Sequence, residues 1–181
     1  MKRYPFVLPV LLLALAPFSM NAQDAFPVSK VQKMEASSLA PLPANGVVPL
    51  KVIAGDFAAD QNAAVGKYSG RRITVVGRVS AVSNPSSENK VLTVTLQDAS
   101  ASQPAVKAEF LYGAIPVNSE IQVDDGGGVA NIVRRDRSGN ILSQEPYVSV
   151  GQKVAIKGDF KELKVGDIIL TACKIVPKPR N

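Results

Sequence analysis

The 181-residue chain has no histidine, no tryptophan and a single cysteine. Without histidine there is no imidazole general base, no Ser-His-Asp triad and no imidazole metal ligand. One cysteine allows neither an internal disulfide nor a Cys-rich zinc site. Neither catalytic residues, a metal nor a cofactor is expected, and the chain reads as non-enzymatic. The carboxylates Asp124, Asp125 and Glu109, which a hydrolase could use, form no recognisable constellation. Ser87-x-x-Lys90 matches a Ser-Lys pair formally, but it lies in a Pro-Ser-Ser loop and lacks the companion motifs of that chemistry.

What is present begins with an address. Met1-Lys2-Arg3 is positive, an apolar run extends from Tyr4 to Phe18, and small and polar residues follow as far as Asn21-Ala22. The run is shorter than the roughly twenty residues a membrane span needs, so residues 1–22 are expected to be a secretory signal peptide cut after Ala22. A periplasmic or secreted protein with no stable membrane insertion follows. Losing Lys2 and Arg3 with the leader lowers the net charge from +6 to +4, an excess too small to identify a partner. Cys173 sits in an apolar alternating run and is expected to be a buried small hydrophobe.

Residues 23–48 hold Pro27, Pro41 and Pro43 without sustained periodicity and read as a flexible linker, which leaves 49–181 as the folded domain. Ile53, Phe57, Ala64 and Tyr68 fall on one helical face, with the start at Pro49 or at Asp56 and the end at Gly70. The period then changes to two. Strands are expected around Ile73–Val79, Leu92–Leu96, Val106–Tyr112, Val154–Phe160 and Ile168–Val176. Gly77, inside the first of them, suggests a bend or bulge. Residues 113–150 interrupt the series, and Val129–Arg135 could pair with Asn140–Ser143 as an extra hairpin. Five short strands avoid exposed edges by closing. An all-β, five-stranded OB-type barrel with an N-terminal α-helix fits best, with an SH3-like barrel as its rival on strand count alone.

Several segments carry a family likeness. The helix closing Ala64-x-x-x-Tyr68-x-Gly70, the strand Val75-Val76-Gly77-Arg78-Val79, the segment Gly151-Gln152-Lys153-Val154-Ala155-Ile156-Lys157-Gly158 and the closing strand Leu170–Val176 with its one Cys stand out. Together they resemble the tRNA_anti-like family of exported bacterial OB-fold proteins. The resemblance covers roughly residues 50–112 and 147–176. It implies a five-stranded barrel and neither an activity nor tRNA binding. Asp60 stands where that pattern has Asn, and the 113–150 insertion is longer than usual, so whatever is particular to this chain is expected there.

OB-folds that hold single strands stack bases on aromatics of the middle strands within a basic groove. Here the second strand has no aromatic, and Phe110 and Tyr112 share parity with Val106 and Ala108, the expected core face. Nucleic acid is therefore the alternative rather than the leading partner. Arg134, Arg135 and Arg137 form the densest basic cluster and could grip phosphate, carboxylate or an acidic polysaccharide, or could merely guard a hairpin edge. Lys153, Lys157 and Lys161 share parity and suggest an outer positive stripe. Asp124-Asp125-Gly126-Gly127-Gly128 reads as a turn, since its spacing is not that of a calcium loop. The leading expectation is a binding or interaction module. Its partner would be an envelope protein or an anionic polymer, met by Arg134, Arg135 and Arg137, then by Lys107 and Arg78, through electrostatic positioning.

Overall fold

The computed structural model describes residues 39–84, 90–98 and 104–177. The expected leader, residues 23–38 of the expected linker and the Pro85–Ser87 part of a turn lie outside them. In chain order the elements are β1 (Val47–Pro49), α1 (Leu50–Ala59), α2 (Gln61–Tyr68), β2 (Arg72–Ser83), β3 (Lys90–Leu96) and β4 (Val106–Leu111). They continue as β5 (Ser119–Val123), β6 (Val129–Arg135), β7 (Ile141–Ser149), β8 (Lys153–Lys164) and β9 (Asp167–Val176).

Alternation produces the barrel. Leu92, Val94 and Leu96 of β3, and Val106, Ala108 and Phe110 of β4, are fully buried, while the residues between them stay partly exposed. β9 opens with Ile168, Ile169 and Leu170, all buried, as an enclosed strand requires. The five strands run β2-β3-β4-β9-β8 and return to β2 through a β2–β8 pairing, with β4 and β9 parallel. Closure removes the open edges, and this is a five-stranded OB barrel.

Closing so small a barrel needs sharp local curvature, and bulges supply it. The β2–β3 register shifts between Val79 and Ala81. In β9, Ala172 adopts φ 50° opposite Gly158, where the β8–β9 register also shifts. A Cβ on Gly158 would lie 2.6 Å from Cys173 Sγ and 3.1 Å from the Thr171 carbonyl oxygen, so only glycine fits. Cys173 is buried and free, in the role expected of it.

The helical segment is two helices rather than one. Asp60 is extended (φ −154°, ψ 102°) and its Oδ1 accepts a bond from the Ala63 amide at 3.0 Å, capping α2. Ile53, Phe57, Ala64 and Tyr68 nonetheless share one inward side, each fully buried. Phe57, Tyr68 and Phe160 of β8 form an aromatic cluster with centroids 5.7–6.4 Å apart, which seats both helices on the barrel. Asp56 Oδ2 accepts from the Tyr68 hydroxyl and the Lys67 ammonium, each at 2.6 Å, and ties the helices together.

Four local expectations change. The end of the expected linker belongs to the fold: Val48 is buried, β1 pairs parallel to β2, and Leu39 and Leu42 pack against the core. Apolar residues spaced among the prolines were enough to dock it. Gly77 pairs regularly with Val154 and marks a close approach instead of a bulge, since a Cβ there would lie 3.0 Å from Leu50 Cδ2. Tyr112 leaves strand parity in a 3₁₀ turn (Tyr112–Ala114) and is 63% exposed. The insertion is a three-stranded antiparallel sheet, β5-β6-β7, rather than a lone hairpin. It is seated on the core through Ala130, Val148 and an edge-to-face contact of Tyr147 on Phe110, centroids 6.1 Å apart.

Candidate anion-contacting surfaces

The β6–β7 turn is built around Asp136. Its Oδ1 accepts from the amides of Ser138 (2.8 Å) and Asn140 (2.9 Å), and its Oδ2 from Asn140 Nδ2 (3.0 Å). Those bonds, the Asn140 side chain first, hold the Asp136 carboxyl below the usual carboxylate range. Gly139, at φ 86°, completes the turn. Arg135 belongs to the same scaffold: its Nε meets Glu120 Oε1 on β5 at 2.8 Å, and its Nη1 donates to the Gly139 carbonyl at 2.9 Å. Arg134 and Arg137 are exposed and make no ion pair among the described residues. On the same hairpin Ile141 and Leu142 are 52% and 68% exposed. Of the three arginines expected to act together, one clamps the sheet and two are exposed on the same hairpin as these apolar side chains.

The outer face of β3 and β4, where an OB-fold usually receives single strands, is different. Lys107 pairs with Asp167 at 2.6 Å. Lys90 pairs with Glu109, and Lys161 stands 3.8 Å from the same carboxylate. Thr93 and Thr95 occupy the β3 positions between the buried residues, and Phe110 points inward. The expected stripe of Lys153, Lys157 and Lys161 is interrupted by register shifts after Lys157 and after Phe160. Tyr112 is the exposed aromatic among the described residues. It lines a shallow hollow of about 210 Å³ with Lys90 and Ser119, whose hydroxyl is buried without a hydrogen-bond partner.

Asp124 is a turn residue, its Oδ1 accepting from the Gly128 and Val129 amides at 2.6 and 2.9 Å. No group of three or more Cys, Asp or Glu able to hold a metal occurs among the described residues. Arg78 lies far along the chain from the arginine cluster, on β2, where its Nη1 donates to the Gly151 carbonyl. It lines a cleft with Lys51 and Lys153. Lys51 is not legible in the sequence, because a lone lysine early in a helix carries no local signal. Nor is the exposure of Tyr112, since strict alternation would put that ring inside.

The family model for tRNA_anti-like proteins matches residues 1–174. No curated protein and no solved structure matches the chain.

Proposed function

Given that the chain belongs to the tRNA_anti-like family, an OB-fold family and so one suggesting a binding module, we propose that it is a non-enzymatic module of the bacterial periplasm or exterior that contacts an anionic envelope component through the β6–β7 hairpin. One observation carries this reading: Arg134 and Arg137, without an ion pair among the described residues, share the β6–β7 hairpin with exposed Ile141 and Leu142, at the end of a sheet the barrel does not need for closure. Cations on one hairpin with apolar side chains suit a polyanion that also offers hydrocarbon or sugar faces. Lys107 contributes little, since Asp167 already answers its charge. The leader-like start, Met1 to Ala22, supports the compartment.

The test is salt-titrated binding to peptidoglycan fragments and to heparin, comparing the parent with Arg134→Ala/Arg137→Ala. The double variant is expected to bind about tenfold more weakly, equivalent to two exposed charge contacts of roughly 0.7 kcal/mol each. Equal binding by the two proteins would remove the hairpin from the account. Single-stranded oligonucleotide binding is the second reading, favoured by Tyr112, whose 63% exposed ring is free to stack. Oligonucleotide affinity lost in Tyr112→Ala and retained in the double arginine variant would select it.

A further inference from the structure

We propose that the cleft between the start of α1 and the paired strands β2 and β8 binds the phosphate group of a small molecule. This site is built from other residues than the hairpin and does not depend on the reading of that hairpin. The cleft holds about 310 Å³ and takes one cation from each of three elements: Lys51 of α1, Arg78 of β2 and Lys153 of β8.

Its cations are distinguished by sharing one cleft, since Arg71, Arg134, Arg137, Lys157, Lys164 and Lys174 also lack an ion pair among the described residues. Lys67, Arg72, Lys90, Lys107, Arg135 and Lys161 each have a carboxylate within ion-pair distance. Among the described residues, no carboxylate pairs with Lys51, Arg78 or Lys153. Yet Arg78 and Lys153 are direct cross-strand partners in the β2–β8 register. Like charges placed opposite one another destabilise a sheet, and an anion held between them reverses the sign of that interaction. Asp98 is the carboxylate that shares the lining, so the cations outnumber it three to one.

Arg78 is positioned for such a role. Its Nη1 is held by the Gly151 carbonyl, while Nε and Nη2 have no partner among the described residues. Gly77 keeps the opening of the cleft close to α1, because a side chain there would collide with Leu50 at 3.0 Å. The helix start adds to the field without carrying the argument: Pro49 supplies no side-chain cap, and the first turn holds no acidic residue. A dianionic tetrahedral group matches three cations lining one cleft better than a single carboxylate does. The cleft also has room for the remainder of a small phosphate ester.

The experiment is calorimetric titration of the full chain with inorganic phosphate and with glycerol 3-phosphate, at fixed ionic strength, with chloride and glycerol as controls. Thermal melts with and without each compound accompany it. Phosphate-dependent binding and a rise in Tm are expected for the parent. Arg78→Gln and Lys153→Gln should each weaken binding at least fivefold, and Lys153→Gln should melt no lower than the parent in phosphate-free buffer, because it relieves the like-charge pair and leaves the Arg78–Gly151 bond in place. Stronger binding of glycerol 3-phosphate than of inorganic phosphate would assign the site to a phosphate ester, and equal binding would assign it to the free anion. Arg134→Ala/Arg137→Ala should leave this titration unchanged, which separates it from the hairpin test. Heat and Tm changes no larger than those with chloride, or undiminished binding in both glutamine variants, would overturn the proposal.

Discussion

Replacing Gly158 by alanine tests how the barrel closes. The added methyl would sit 2.6 Å from Cys173 Sγ, 3.1 Å from the Thr171 oxygen and 3.3 Å from Leu170 Cβ, against ordinary contacts of about 3.5–4.0 Å. Cys173 is 1% exposed and Leu170 fully buried, so neither has space to retreat into. The Thr171 oxygen is backbone, next to the Ala172 bulge. Overpacking of this kind costs roughly 1–3 kcal/mol, and the backbone contact places Gly158→Ala near 3. The stiffer unfolded chain returns about 0.5–1 kcal/mol. A net loss of about 2 kcal/mol is expected, read as a lower urea midpoint at constant m and a Tm lower by about 6–8 °C. Cys173→Ala alone should cost about 1–2 kcal/mol through the lost buried sulfur. In the double variant the sulfur collision is gone, so the two losses should fall short of their sum by at least about 1 kcal/mol. Gly66→Ala is the control: its Cβ would meet nothing within 4 Å, and on an exposed helix position it should stabilise by about 0.5–1 kcal/mol. Strict additivity of Gly158→Ala with Cys173→Ala, or a Gly158→Ala protein as stable as the parent, would refute the close-approach reasoning.

Two further outcomes follow from buried polar groups. Asp56→Ala strands the Lys67 ammonium, whose side chain is 9% exposed, and the Tyr68 hydroxyl, and should cost about 3 kcal/mol in urea unfolding against about 1 for Tyr68→Phe; a loss below 1 kcal/mol for Asp56→Ala would show that the helices do not depend on this link. Burial, the main cause in each case, lifts the Cys173 thiol from 9.0 to about 12 and raises the Tyr68 and Tyr147 hydroxyls above their ordinary 10.0. The unfolded chain therefore releases these protons first, so stability is intact below pH 9 and declines from there toward about pH 12. Thermal melts across that range should show the decline, with a later onset in Cys173→Ala, and a flat profile to pH 11 would contradict it.

Much of the fold was legible because burial in a small barrel imposes period two on local sequence. Leu92, Val94 and Leu96 declare their face without help from any distant residue, and Ile53, Phe57, Ala64 and Tyr68 do the same at helical spacing. The family segments extended this to closure, and Gly158 at the end of one of them turns out to sit against the β9 bulge. Legibility failed where a local rule met a nonlocal partner. Gly77 has the look of a bulge, yet its smallness answers Leu50, twenty-seven positions earlier. β5, Ser119–Val123, has too short an alternation to stand out, and it exists because β6 offers it an edge. Tyr112 obeys parity until the 3₁₀ turn ends the strand at Leu111.

The candidate site was less legible for the same reason, sharpened by charge. A sequence displays every lysine and arginine alike, but an anion can be held only by those whose charge is still unanswered. Lys107 and Arg135 are each answered by a carboxylate that register brings from elsewhere, Asp167 from the adjacent strand β9 and Glu120 from the adjacent strand β5. Arg134, Arg137, Arg78 and Lys153 are not answered by any described carboxylate, although nothing in their immediate neighbours distinguishes them. Strand pairing thus does two things at once on this barrel: it neutralises the β3–β4 face on which such folds usually receive nucleic acid, and it leaves uncompensated charge at the hairpin and beside α1. An anion-binding role is consequently better sought away from the β3–β4 face, where added salt should change little.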